Sequence, residues 1–62
     1  MPLSGKEMLA LYLKHGWIIL RQKGSHVIVG KGLLRETIPI HANQDLKRGL
    51  EKALLKRLEI KR

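Results

Sequence analysis

The stretch Trp17-Ile18-Ile19-Leu20-Arg21-Gln22-Lys23-Gly24-Ser25-His26-Val27-Ile28-Val29 decides the fold of this 62-residue chain. Its two apolar runs, Trp17 to Leu20 and Val27 to Val29, are rich in the β-branched and aromatic side chains that suit a pleated surface. A short polar segment with one glycine separates them. The pattern predicts paired strands, Trp17 to Arg21 and Ser25 to Val29, reversing at Lys23-Gly24, where Gly24 supplies the backbone freedom a tight turn needs. The reversal also gathers chemistry. It sets His26 at the mouth of a strand, beside Arg21, Lys23 and the Ser25 hydroxyl. An imidazole exchanges protons near neutral pH, and the cations hold phosphate.

On the N-terminal side, Ser4-Gly5-Lys6-Glu7 has the spacing of a capping box, a hydroxyl followed three residues on by a carboxylate. Met8, Leu11 and Tyr12 then share one helical face, which Leu9 and Leu13 widen. His15-Gly16 closes the helix, with Gly16 suited to a left-handed position and His15 to the negative end of the helix dipole. On the C-terminal side, Gly30-Lys31-Gly32 reads as a second turn and Leu33 to Ile40 as a third strand. Pro39 cannot donate to a ladder, so it belongs at an edge or a strand end. His41 to Gln44 reads as a loop and Asp45-Leu46-Lys47-Arg48 as a single helical turn. Gly49 marks a break before a last helix over Leu50 to Leu58, whose buried stripe is Leu50, Ala53, Leu54 and Leu58. Lys52, Lys56 and Arg57 point elsewhere, towards water or an anion, and Ile60 is placed back against the sheet.

The order helix, three strands, helix predicts one α+β domain over residues 1–62. It is an α-β-β-β-α arrangement with a three-stranded antiparallel sheet and both helices on one face, the layout of double-stranded-RNA-binding domains. The other sheet face is left open. A chain this short buries only about 60% of its unfolded surface, so a bound partner or self-association is a natural source of stability.

Thirteen Lys plus Arg stand against five Asp plus Glu, a formal charge of +8. Such a field attracts nucleic acid, anionic membrane or an acidic protein; the plain alternative is a well-solvated surface. Trp17 and Tyr12 are too few aromatics for a multi-base stacking platform, which favours phosphate contact over base readout. No apolar run has the length of a membrane span, and no helix-turn-helix pattern appears. The chain has no cysteine, which removes disulfides and fits a reducing cytoplasm. His15, His26 and His41 lack recognised ligand spacing, so no metal site is assigned.

The helix ending His15-Gly16-Trp17, then Arg21 to Lys23, Gly24-Ser25-His26, Thr37-Ile38-Pro39-Ile40-His41 and Asp45-Leu46-Lys47-Arg48-Gly49 together resemble the HicA toxins of bacterial and archaeal toxin–antitoxin pairs. The resemblance covers nearly the whole chain in the same order. It implies a double-stranded-RNA-binding-like fold and an mRNA interferase, a ribonuclease that stops translation. The catalytic histidine of that family's Gly-Ser-His turn corresponds to His26, and the implied partners are mRNA and a HicB antitoxin. Many members carry Thr or Ser after the glycine opening the last helix. Leu50 stands there in this chain, which implies a lost side-chain N-cap worth roughly 0.5–2 kcal/mol.

Cleaving RNA without a metal needs a base for the 2′-hydroxyl, an acid for the leaving oxygen and positive charge near the phosphorus. His26 suits the base or the acid role. Lys23 supplies charge, and Ser25 can donate to a phosphate oxygen. Arg21, Ser25, His41 and Lys47 join Lys23 as the expected RNA contacts. A second proton carrier is not evident in the sequence; His41 or water are the options, the former only if the end of the third strand lies near the start of the second. The resulting reading is a metal-independent endoribonuclease toxin with no small-molecule cofactor and no membrane association. The alternative is a non-catalytic basic RNA-binding module of the same fold.

Overall fold

The computed structural model describes residues 3–41 and 44–60, with the side chains of residues 59 and 60 left aside. The order is α1 (Gly5–Lys14), β1 (Ile18–Lys23), β2 (His26–Lys31), β3 (Leu34–Pro39) and α2 (Arg48–Ile60). The strands form one antiparallel sheet in the order β1-β2-β3. The expected α-β-β-β-α fold is therefore present.

Helix α1 forms as its sequence dictates. The Ser4 hydroxyl accepts from Glu7 N, and the Glu7 carboxylate accepts in turn from Ser4 N, so two of the unpaired amides of the first turn are satisfied. At the other end Gly16 has φ +94°, the left-handed conformation expected there. The His15 ring donates from Nδ1 to Leu11 O at 2.8 Å, and Lys31 Nζ donates to His15 O at 2.7 Å. That free end of α1 thereby gains two cationic or donor groups.

The core is built from Met8 and Tyr12 of α1, Trp17, Val27 and Val29 of β2, Ile38 of β3, Leu46, and Leu54 of α2. Val27 and Val29 alternate with His26 and Ile28, so one sheet face is covered and the other open. On the covered face Glu36 of β3 receives both contacts of Arg57 Nη1 from α2, at 2.7 and 2.8 Å. Lys31 reaches the end of α1 from the same face. Both helices thus lie on one side of the sheet.

Four expectations need correction. The first reversal is centred on Gly24-Ser25, not Lys23-Gly24, because Lys23 and His26 face each other as the last pair of the β1–β2 ladder. Gln22 and Lys23 are therefore strand residues and Ser25 is a turn residue, while Trp17 precedes the strand as a core side chain. The second turn moves in the same sense: Gly30 and Lys31 lie inside β2, and Gly32-Leu33 turn. The tips of the Leu20 and Arg35 side chains lie over Gly30, within 3 Å of where a Cβ would stand, and would have to move aside for a larger residue.

Asp45, Leu46 and Lys47 do not make a separate helical turn, and Arg48 already belongs to α2. Leu46 N donates to Leu3 O at 2.8 Å and Asp45 bridges Ser4, which holds this segment extended against the entry to α1. Finally, α2 begins at Arg48 without a break at Gly49, and the first helical bond runs from Glu51 N to Lys47 O at 2.8 Å. Leu50 is thus inside the first turn and packs on the core, so no cap is lost at that position. Leu50, Ala53, Leu54 and Leu58 do form the inward stripe, and Pro39 does end an edge strand. The placement of Ile60 against the sheet, and Ala42-Asn43 of the loop, lie outside the described residues.

Candidate functional site

Three features converge at one corner of the sheet. The β1–β2 hairpin places His26 opposite Lys23, and β3 arrives on the other side with Pro39 opposite His26. Gly24 has φ +60°, a conformation that an L side chain adopts only at a cost. Immediately after β3, Ile40 N donates to Ser25 O at 2.6 Å. That bond ties the exit of β3 to the turn and carries His41 alongside His26. The two imidazole centroids are 6.4 Å apart with ring planes at 81°. The condition for His41 to join His26, adjacency of the two strand ends, is met.

The N-terminus of α1 fixes the same corner from below. Gly5 is buried, and a Cβ there would overlap the Pro39 carbonyl oxygen while approaching Ile40 Cα to 3.0 Å. Only the bare backbone of Gly5 lets α1 start so close to the end of β3. As a result His41 borders two shallow clefts. Ser4, Lys6, Glu7 and Asp45 line one with it; Pro39, Gln44, Asp45, Leu46, Lys47 and Leu50 line the other.

The expected site residues separate by position. Lys23, Ser25, His26 and His41 are brought together at the hairpin corner. Lys47 stands across the second cleft from it. Arg21 lies one pair further along the open face, opposite Ile28. His26, His41, Lys23 and Arg21 are exposed, and Ser25 is half-buried. Lys6 is a cation of this corner that sequence reading passed over; its place in the first turn beside Ser4 was its only signal. Arg57, expected to face water or an anion, is engaged by Glu36. The charge of the corner is mixed rather than uniformly positive, since Glu7 and Asp45 share the cleft with Lys6 and His41.

Over residues 5–60 the chain matches the family model described as the HicA toxin of bacterial toxin-antitoxin. The chain belongs to the HicA toxin family. No curated protein and no solved structure matches it. Membership makes this HicA chain a toxin of a toxin–antitoxin system and gives it an antitoxin partner in general terms. Among the described residues no helix is long and apolar enough to cross a membrane.

Proposed function

We propose that this HicA-family toxin is an endoribonuclease that cleaves mRNA at His26 in the cytoplasm and is restrained by a HicB-type antitoxin. The observation that carries the reading is an exposed imidazole on a glycine-turned hairpin, opposite a lysine, in a chain whose family is that of HicA toxins. Arg21 and Lys23 on the open face, with Ser25, His41 and Lys47 around the corner, are the RNA contacts. They supply phosphate affinity without reading bases.

In the reaction His26 takes the proton of a 2′-hydroxyl. The 2′-oxygen attacks the adjacent phosphorus, the bond from phosphorus to the 5′-oxygen breaks, and that oxygen leaves with a proton. Lys23 stabilises the charge that builds on the non-bridging oxygens. Loss of a positioned proton carrier typically costs 10²–10⁴-fold in rate. His26→Ala is therefore expected to remove RNA cleavage and growth arrest while RNA binding persists. An Ala variant that cuts and arrests growth like the parent overturns the reading. Salt-dependent RNA binding without strand scission by the parent chain would favour a non-catalytic module instead.

A further inference from the structure

We propose that His41 is the second proton carrier of the reaction, acting on the opposite side of the scissile phosphodiester from His26. The inference rests on the ribonuclease reading above and deepens it. In-line displacement at phosphorus puts the entering and leaving oxygens on opposite sides of the phosphorus. Each needs a proton carrier within about 3 Å. The carriers need not lie on that axis, since each can reach its oxygen from the side through a hydrogen bond of about 2.8 Å. The His26 and His41 centroids, 6.4 Å apart with planes at 81°, are too distant to stack face to face and close enough for one phosphodiester to touch both. Both side chains are exposed. His15, by contrast, is tied through Nδ1 to Leu11 O.

The pairing is built into the backbone. Pro39 is held opposite His26 by the β2–β3 register, Ile40 N is bonded to Ser25 O, and Gly5 packs against the Pro39 carbonyl. These three constraints, from a strand, a turn and a helix start, fix the two residues that precede His41. Around the rings lie Lys23 on β1, Lys6 and Glu7 on α1, and Asp45 in the segment before α2. A phosphate at the imidazoles therefore meets Lys23 on the β1 side and, on the α1 side, Lys6 together with the carboxylates of Glu7 and Asp45.

The test compares the full chain with His26→Ala, His41→Ala and His41→Gln on an RNA with one cleavable linkage. A second substrate carries sulfur in place of the bridging 5′-oxygen at that linkage, a leaving group that departs without a proton. On the oxygen substrate both His41 variants are expected to lose at least about 100-fold in kcat, a loss much larger than the change in binding of a 2′-deoxy analogue, to which His41 is one of several contacts. The sulfur substrate is expected to restore His41→Ala and not His26→Ala, because His41 serves the leaving oxygen and His26 the attacking one.

A His41→Gln or His41→Ala protein that retains parental kcat overturns the proposal, as does a loss that appears wholly in KM. Restoration of His26→Ala by the sulfur substrate, or failure to restore His41→Ala, overturns it as well. A parent chain that cuts no RNA defeats the ribonuclease reading itself. A parent that cuts, with His26→Ala inactive and His41→Ala unimpaired, defeats the His41 assignment alone.

Discussion

Single atoms decide several features of this small protein. At Gly5 the competing magnitudes can be compared directly. Alanine gains about 1 kcal/mol over glycine in a helix interior, but here its methyl group would strike the Pro39 carbonyl, which is backbone and cannot rotate away. Overpacking of this kind costs about 1–3 kcal/mol. Gly5→Ala is therefore expected to lower the urea midpoint despite its better helix propensity, and a raised midpoint would show that α1 can shift off β3 freely. Tyr12 makes a second local argument. Its hydroxyl is buried and donates to Leu54 O at 2.7 Å, joining α1 to α2 through residues 42 positions apart. Burial, then the nearby Glu36 carboxylate, pushes the phenol up to about 12 against the smaller opposing effect of Arg57. A folded-state pKa raised above the ordinary 10 stabilises the fold fully below pH 10, and that contribution is lost as pH rises through 12. The parent should thus lose on the order of 2 kcal/mol more stability than Tyr12→Phe between pH 10 and 12. Equal losses in urea melts across that range would contradict the assignment. The Glu36–Arg57 pair, half-exposed at the arginine, is worth at most about 1 kcal/mol and does not dock α2 by itself.

Among the elements, the β1–β2 hairpin carries His26, the catalytic residue of the proposed reaction. Gly24→Ala places a side chain at φ +60° with open space around it, so the cost is backbone strain alone, about 1–2 kcal/mol. Cleavage should fall more than stability explains, because His26 and Ser25 both hang on this turn. A variant with full kcat and the expected destabilisation would show that the turn merely closes the chain. The elements also mark where sequence was sufficient and where it was not. Helix α1, the strand order and the inward stripe of α2 were legible because capping, β-branching and period are local signals. The turn slipped by one residue because a lone glycine can occupy either central position of a two-residue reversal. Leu20 is extra in the β1–β2 register, and nothing in Ile-Ile-Leu-Arg announces a bulge. Asp45 and Leu46 could not be read locally, since their backbone pairs with Leu3 and Ser4, distant in sequence. The same division holds for the site. Lys23, Ser25 and His26 are neighbours in sequence and were legible; the approach of His41 depends on the β3 exit and the Gly5 contact, and Lys6 enters only through tertiary packing.

At the scale of the whole molecule, with a charge of +8 on 62 residues, the RNA binding proposed above is expected to be strongly salt-dependent. The open sheet face keeps two apolar side chains accessible, Ile18 at 61% and Leu20 at 42%, beside Arg21, Lys23 and His26, while α2 lies on the covered side. Lys23→Ala and Lys47→Ala should each reduce the slope of log K against log salt by roughly 0.7–1. Lys52→Ala, on the helix side, should leave that slope unchanged; an equal reduction by Lys52→Ala would move the RNA path onto α2. The most direct test of the central claim is the chemistry of the ends left on a cut RNA. Attack by a neighbouring 2′-oxygen, started by His26, predicts a 2′,3′-cyclic phosphate, a 5′-hydroxyl, and no cut at a single 2′-deoxy substitution. Ends bearing a 3′-hydroxyl and a 5′-phosphate, with the deoxy linkage cut as readily, would contradict the account.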